Sequence, residues 1–266
     1  MSDAPVNSVI FAEEASTLKG KNMVAVVSGC HGGGKTWFAV TLAHALSLLK
    51  QRVLLFDGDC GPANTQMQLG LKSGLNLDSV IYKGNSLNQA VTVCDKTRFD
   101  VIFGSPQSCG LSTMSVGRLQ ILGDDLNILA QNYDKVVLDI SSGMADSAKV
   151  LAGMSKSVIV VCTDNPQSVT GSYGLVKLIT ERSPKTSVSI VINKADTTAG
   201  GQRTYKILEK ACREFLGISP VLLGVVREDT RVRDSIRNRT SVISRYPQSE
   251  AVSDVLAIAK RILQDG

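Results

Sequence analysis

Residues 29–36, GCHGGGKT, have the spacing G-x-x-x-x-G-K-[ST] of a phosphate-binding loop. Glycines let such a backbone curl so that its N–H groups point at phosphate oxygens. Lys35 would reach the β- and γ-phosphates, and the Thr36 hydroxyl would ligate Mg²⁺. The apolar run MVAVVS precedes the loop and a helical pattern follows it, which favours this interpretation over an ordinary glycine-rich turn. The predicted nucleotide-binding residues of this segment are Gly29, Gly32, Gly33, Gly34, Lys35, Thr36 and Trp37.

Carboxylates follow two other apolar runs. Asp139 ends the run KVVLDI, where a side chain can hold Mg²⁺ or its waters. Asp57 and Asp59 end the run RVLLFDGD, where one carboxylate can face the metal shell and the other can orient an attacking water. The alternatives are a helix-capping role for Asp139 and a solvated acidic turn at 57–59. Together with the loop, these acids predict a site for a Mg-nucleotide.

Short apolar runs alternate with helix-length segments along the chain. Most runs are apolar at successive positions and do not alternate between apolar and polar residues, as expected of strands covered on both faces. The alternation predicts one α/β domain in three layers, a doubly wound and mostly parallel sheet with helices on both faces. The predicted strands are 23–28, 52–57, 99–104, 135–140, 157–163, 188–193 and 220–226.

Two further organisational features follow from the pattern. Residues 202–216 carry apolar residues at helical spacing, which predicts an amphipathic helix with one core-facing stripe. The residues of that face are Tyr205, Leu208, Ala211, Cys212 and Phe215. We place an N-terminal extension at residues 1–20, with a short helix expected over 11–19, and the domain at 21–266.

The composition excludes several classes of protein. The chain has 266 residues, 43% hydrophobic and 20% charged, which is typical of a soluble globular protein. No run approaches the roughly 18 apolar residues of a membrane helix, and the N-terminus lacks the order of a secretory signal. Six cysteines without C-x-x-C spacing predict reduced thiols in the cytoplasm. The net charge of +5 permits an acidic partner without requiring one.

The order of these motifs resembles the MinD/ParA class of P-loop ATPases, and within it the FlhG branch of flagellar-number regulators. The similarity runs over roughly residues 20–264. The stretches that carry it include DGDCGPANTQMQLGL (57–71), NPQSVTGSY (165–173), VINKAD (191–196) and LLGVVREDTRVRDSIRNRTSVI (222–243). Of these, PANTQMQLGL (62–71) and NPQSVTGSY are the more specific to the branch.

The resemblance implies roles for individual residues. Lys35 and Thr36 would hold phosphate and Mg²⁺, with Asp139 as the Walker B carboxylate. Asp59 would be the hydrolytic switch residue, and Asp57 a nearby member of the metal shell. The adenine base would be read by Asn193, with the backbone of 226–229, including Arg227, packed beside it.

The resemblance also implies a mode of action. Such proteins bind ATP or ADP with Mg²⁺ and form a homodimer around two ATP molecules, whose state a partner reads. We expect an FlhF-like GTPase or a flagellar regulator as partner, with recruitment to a cell pole or membrane. The alternatives are a ParA-like DNA-positioning ATPase and a nucleotide-binding regulator with little hydrolysis.

One departure from the family concerns the phosphate loop itself. The family loop begins K-G-G, and its first lysine crosses the dimer to the partner's phosphates. This chain has Cys30 at that position and His31 after it, so the ammonium group is missing. Losing a cation at a dissociating phosphate can lower a rate by orders of magnitude. The resemblance therefore supports nucleotide binding and puts fast dimer-dependent hydrolysis in question.

Four other segments carry secondary hypotheses. The apolar stripe in 249–266 is expected to pack in the core, with membrane docking as the alternative. EEASTLK (13–19) has the outline of an FlhF-stimulating element, with chance helix composition as the alternative. The Arg-rich stretch 227–245 is expected to be a solvated helix face, although it could contact DNA. Cys30 and Cys60 could form a thiol sensor in the pocket, and the simpler interpretation is that both are tolerated small residues.

Overall fold

We describe a computed structural model of the chain, covering residues 20–59, 65–71, 74–104, 110–141 and 146–264. The strands are β1 (Gly20–Ser28), β2 (Val53–Gly58), β3 (Val91–Cys94), β4 (Phe99–Ile102), β5 (Lys135–Ile140), β6 (Ser155–Cys162), β7 (Ser187–Ala195) and β8 (Val221–Arg227). The longer helices are α1 (Lys35–Leu48), α6 (Val116–Ala130), α7 (Asp146–Met154), α8 (Pro166–Arg182), α9 (Thr198–Leu216), α10 (Thr230–Arg237) and α12 (Glu250–Gln264). The short helices are α2 (Thr65–Leu69), α3 (Leu77–Lys83), α4 (Leu87–Ala90), α5 (Gly110–Thr113) and α11 (Val242–Arg245).

The eight strands form one sheet in the order β3-β4-β2-β5-β1-β6-β7-β8. All neighbouring pairs are parallel except β3 and β4, which are antiparallel at one edge. Strand β1 lies near the centre, with β5 on one side and β6 on the other. The carboxyl ends of β1, β2 and β5 therefore meet at one edge, which is where such folds bind their ligands.

The continuous apolar runs arise because both faces of the sheet are buried. In β1, Met23 and Ala25 belong to the core beneath α6 to α9, whereas Val24 and Val26 belong to the core beneath α1 and α12. Successive side chains of a strand point to opposite faces, so a strand between two helical layers needs apolar residues at every position. The predicted single-domain, three-layer α/β architecture is confirmed.

Helix α12 resolves the two hypotheses for the C-terminal stripe. Val252, Val255 and Ala259 are fully buried and pack in the same core as α1. The stripe is therefore core packing, as expected. Within the part of the chain that the structure describes, none of the helices is both long and apolar enough to cross a membrane.

The structure differs from the sequence-based expectations in two places. Strand β3 was not predicted, because its four residues follow α4 directly and lie at the edge of the sheet. On α9, Leu208 and Cys212 are buried as expected, but Phe215 is 74% exposed. It lies in the last turn of the helix, just before the left-handed C-cap Gly217. The predicted extension at 1–20 lies outside the described residues except for Gly20, which begins β1.

Candidate nucleotide site

The glycine-rich loop connects the end of β1 to the first turn of α1. Gly34 caps α1 in the left-handed conformation, with φ +84°, and Gly32 has φ +76°. These backbone angles favour glycine, which explains why the loop needs it at both positions. The loop and the helix N-terminus together present N–H groups and a positive dipole end at the carboxyl edge of the sheet.

Lys35 connects the loop to two of the predicted acids. Its Nζ donates to Asp139 Oδ1 at 2.5 Å and to Asp59 Oδ2 at 2.7 Å. Lys35 is only 5% exposed and Asp139 is fully buried, so these are charge-assisted bonds in a low-dielectric environment. Burial opposes the charge of Lys35, but the carboxylates of Asp139 and Asp59 raise its pKa above the usual value.

Asp57 lies beside Asp139, since the two residues are register partners on β2 and β5. It is fully buried and accepts hydrogen bonds from the backbone N–H of Thr65 at 3.1 Å and of Asp59 at 3.3 Å. Burial and the neighbouring charge of Asp139 raise the pKa of Asp57 to about 7. The site thus places three carboxyl groups around one ammonium group, so the acidic groups outnumber the basic one.

The residues present fit a magnesium ion bound together with phosphate. Asp139 Oδ2 is buried and has no hydrogen-bond partner within the described residues. Burial raises the pKa of Asp139 above its usual value, although the charge of Lys35 and the nearby Thr36 hydroxyl oppose the shift. An added cation would therefore stabilise the carboxylate. Across the described ranges no group of three or more His, Cys, Asp or Glu side chains is arranged to hold a metal alone. Mg²⁺ usually completes its shell with phosphate and water, so the protein needs to supply only part of its ligands.

Two contacts that were not predicted from the sequence support the loop from other elements. A Cβ on Gly171 of α8 would lie 2.2 Å from the carbonyl oxygen of Gly29, so both positions need glycine for backbone-to-backbone contact. Lys194, at the end of β7, donates from Nζ to the carbonyl oxygen of Gly32 at 2.7 Å. The motif VINKAD was noted in the sequence, but nothing local to either residue indicates these contacts.

Three of the predicted nucleotide-binding residues meet at one cavity of about 240 Å³. Trp37, Asn193 and Arg227 all line it, and Trp37 Nε1 is buried without a hydrogen-bond partner in the described chain. Asn193 Nδ2 donates to the Gly33 carbonyl at 2.8 Å, so this side chain also holds the loop.

The guanidinium of Arg227 is directed to helix α12. It makes paired hydrogen bonds to Asp254 at 2.9 Å, and the backbone N–H of Arg227 donates to the same carboxylate at 3.0 Å. A fourth hydrogen bond, from Nη1, reaches Glu250 at 2.5 Å. Any contact of this residue with a base is therefore expected from its backbone, as predicted for 226–229.

Cys30 is half-buried in the loop, and its thiol is free. The Ser28 hydroxyl donates to its carbonyl oxygen at 2.9 Å. Cys60, the other member of the proposed thiol pair, lies outside the described residues. Cys30 supplies no ammonium group at this position, and Lys194 from β7 contacts the loop at the Gly32 carbonyl.

A glycine-rich loop between β1 and α1, with acids at the ends of β2 and β5, defines a P-loop nucleotide-binding protein. The sequence profile of the CobQ/CobB/MinD/ParA nucleotide binding domain matches residues 24–242. The chain therefore belongs to this family. As predicted, it is a P-loop ATPase whose ligands are ATP or ADP with Mg²⁺.

Individual relatives place the chain more narrowly. It is 30% identical to the antiactivator FleN of Pseudomonas aeruginosa over 244 residues, covering 90% of this chain and 85% of FleN. It is 23% identical to the flagellum site-determining protein YlxH of Helicobacter pylori, covering 91% and 83% of the two chains. Its fold matches the septum site-determining protein MinD of Pyrococcus horikoshii, solved with Mg-ADP, with a TM-score of 0.76 at 18% identity, covering 91% and 96%. The predicted resemblance to the FlhG-like branch is thus supported.

Proposed function

We propose that this protein is an ATP-dependent switch that regulates flagellar number, placement or assembly. The observation that carries the proposal is its 30% identity to FleN over 90% of the chain. The Lys35–Asp59–Asp139 constellation supports a working switch, because its parts lie together at the phosphate loop. In the proposed cycle ATP favours a homodimer that binds a partner, an FlhF-like GTPase or a flagellar regulator, and hydrolysis releases it.

The roles proposed for the site residues follow from their positions. Lys35 and the loop amides would bind the phosphates, while Thr36, Asp139 and Asp57 would hold Mg²⁺ directly or through water. Asp59 reaches the same ammonium group from the end of β2, which suits a residue that positions an attacking water. Bound Mg²⁺ would neutralise charge on the phosphates.

Turnover and dimerisation are tested together. We would measure ATPase rate, ADP affinity and mass in solution for the wild type, Lys35→Ala, Asp59→Ala and Cys30→Lys. Lys35→Ala should lose nucleotide binding, whereas Asp59→Ala should keep binding and stop turnover. Cys30→Lys should raise the rate and the dimer fraction. Wild-type protein that binds ATP but neither hydrolyses it nor dimerises would instead be a nucleotide-binding regulator.

The flagellar role needs a test in the cell. Deleting the gene in the organism that carries it should change the number or position of flagella. The wild-type gene should restore them, whereas the Lys35→Ala gene should not. Unchanged flagella after deletion would refute the proposed flagellar role, and the proposed ATPase activity would be unaffected by that result. The contribution of the N-terminal segment is tested by removing residues 1–17 and measuring stimulation of an FlhF-like GTPase.

The DNA-positioning alternative finds less support in the Arg-rich stretch 227–245. Four of its arginines are paired with carboxylates: Arg227 with Glu250 and Asp254, Arg231 with Asp229, Arg233 with Glu228, and Arg245 with Asp234. A surface whose charges are compensated locally attracts phosphate weakly. DNA binding that falls steeply with added salt would revive this alternative.

A further inference from the structure

A second concave site lies at the opposite edge of the sheet from the phosphate loop. It is a cavity of about 410 Å³, in the range of small-molecule sites. Lys21, at its rim, and Ser28, at the phosphate loop, lie near opposite ends of β1. Seven residues at roughly 3.3 Å each separate the two sites by about 23 Å. The nucleotide chemistry described above therefore does not use this cavity.

Four lysines from four adjacent strands converge on this cavity. Lys21, Lys135 and Lys156 are the first or second residues of β1, β5 and β6, and Lys185 comes two residues before β7. These strands are neighbours in the order β5-β1-β6-β7, so the side chains start from one continuous edge. Strands lie about 4.8 Å apart, which places the four within one row of about 15 Å.

Three of these four lysines, Lys21, Lys135 and Lys185, form no ion pair within the described residues. The described lining of the cavity contains no Asp or Glu. Asp134, next to Lys135 in the chain, is held by the backbone N–H of Arg52 at 2.7 Å. Burial and the charge of Lys156 lower the pKa of Lys135, and the charge of Asp134 opposes this shift without cancelling it, so the two ammonium groups repel each other. A bound anion would remove this repulsion.

The rest of the lining supplies hydroxyl groups over an apolar floor. Ser157 and Ser187 are register partners on β6 and β7, and Ser189 follows on the same face of β7. Val24, Leu223 and Ile262 form the apolar part. Hydroxyls can donate to phosphate oxygens beside the ammonium groups, and the floor can hold a carbon skeleton.

We propose that this lysine-lined cavity binds a small soluble molecule that carries two or more phosphate groups on a ring-containing body. Several ammonium groups around a cavity suit a compact ligand with several negative charges. The concave shape fits such a molecule better than a flat membrane surface or a rigid duplex. The ligand would bind independently of the nucleotide at the phosphate loop.

The test uses the full chain with its phosphate loop saturated by Mg-ADP. Fructose 1,6-bisphosphate serves as the phosphorylated probe and fructose as the uncharged control, with binding measured by calorimetry. The site variant is Lys21→Gln/Lys185→Gln, and the matched control is Lys83→Gln/Lys206→Gln, on exposed positions of α3 and α9. Both double variants lower the net charge of +5 by two. Unchanged ADP affinity verifies that each variant is folded.

The expected result is saturable binding of the bisphosphate to the wild type at one site and no binding of fructose. The site variant should weaken binding by roughly tenfold or more, because two charge-assisted contacts are lost. The control variant should stay within about twofold, and added salt should weaken binding. Absence of saturable binding, equal weakening in both variants, or capture by phosphatidylglycerol vesicles without bisphosphate binding would each overturn the proposal.

Discussion

The Lys35 ammonium group lies 2.5 Å from Asp139 Oδ1, and both side chains are buried at the end of the central sheet. Asp59 shares the same ammonium group at 2.7 Å. The lysine expected to bind phosphate therefore donates hydrogen bonds to two carboxylates of its own site. A phosphate group that binds at the loop must compete with these carboxylates, and Mg²⁺ would offset the charge they keep.

We predict that Lys35→Met removes nucleotide binding and lowers the free energy of unfolding by about 3 kcal/mol. The stability loss is expected because Asp139 remains buried without its counter-charge. The double variant Lys35→Met/Asp139→Asn should recover part of the stability and none of the binding. Urea unfolding and ADP titration measure the two effects. Equal unfolding free energies for the single variant and the wild type would contradict the account of this ion pair.

We predict that Gly171→Ala impairs the phosphate loop from a distance. The new Cβ would lie 2.2 Å from the Gly29 carbonyl oxygen, so the loop or α8 must move. The unfolding free energy should fall by about 1–3 kcal/mol, and ADP affinity should fall with it. The matched control is Gly174→Ala in the same helix, where a Cβ meets nothing within 4 Å. That change should stabilise the protein by roughly 0.5–1 kcal/mol and leave affinity unchanged.

The features predicted from the sequence are those encoded by neighbouring residues. The loop spacing located Lys35 and Thr36, and the continuous apolar runs located seven strands. Parallel strands end at the same edge of a sheet, so Asp57 and Asp139 were expected to lie together. The structure shows that they are register partners. Each of these inferences needs only local spacing and the periodicity of a doubly covered sheet.

The features that were missed depend on contacts between distant parts of the chain. Lys194 meets the loop across 162 residues, and Gly171 reaches Gly29 only because α8 packs close to the end of β1. Nothing in the sequence around Lys194 or Gly171 indicates which residue it contacts. The lysine-lined cavity was also missed, because its members are single residues at the starts of separate strands.

We predict that Lys194→Asn lowers ADP affinity by roughly five- to tenfold, because one hydrogen bond that fixes the loop tip is lost. Asparagine is chosen because Lys194 has φ +56°, a conformation that asparagine tolerates. Lys194→Ala should lose the same affinity. It should also be about 1 kcal/mol less stable than the asparagine variant, because alanine does not tolerate this backbone conformation as well. Titration with a fluorescent ADP analogue gives the affinities. Wild-type affinity in the asparagine variant would show that this contact is dispensable for the loop.

We predict that His44 makes stability fall as the pH drops from about 6.5 to about 4. Burial and the nearby charge of Arg98 lower the pKa of His44 to about 4. Its Nδ1 lies 2.6 Å from Ser241 Oγ. The unfolded chain binds the proton more readily, near pH 6.5, so the stabilisation is complete above that value and is lost on acidification. Between pH 7.5 and pH 5 this contributes a loss on the order of 2 kcal/mol.

Urea unfolding at both pH values tests the assignment through His44→Gln, which should lose about that much of the pH dependence. The matched control is His31→Gln, which removes the other of the two histidines in the chain, an exposed residue of the phosphate loop. It should keep the wild-type difference between the two pH values, because no buried imidazole is removed. If both variants retain the full difference, the acid sensitivity arises from the carboxylates, and the buried His44 is not its source.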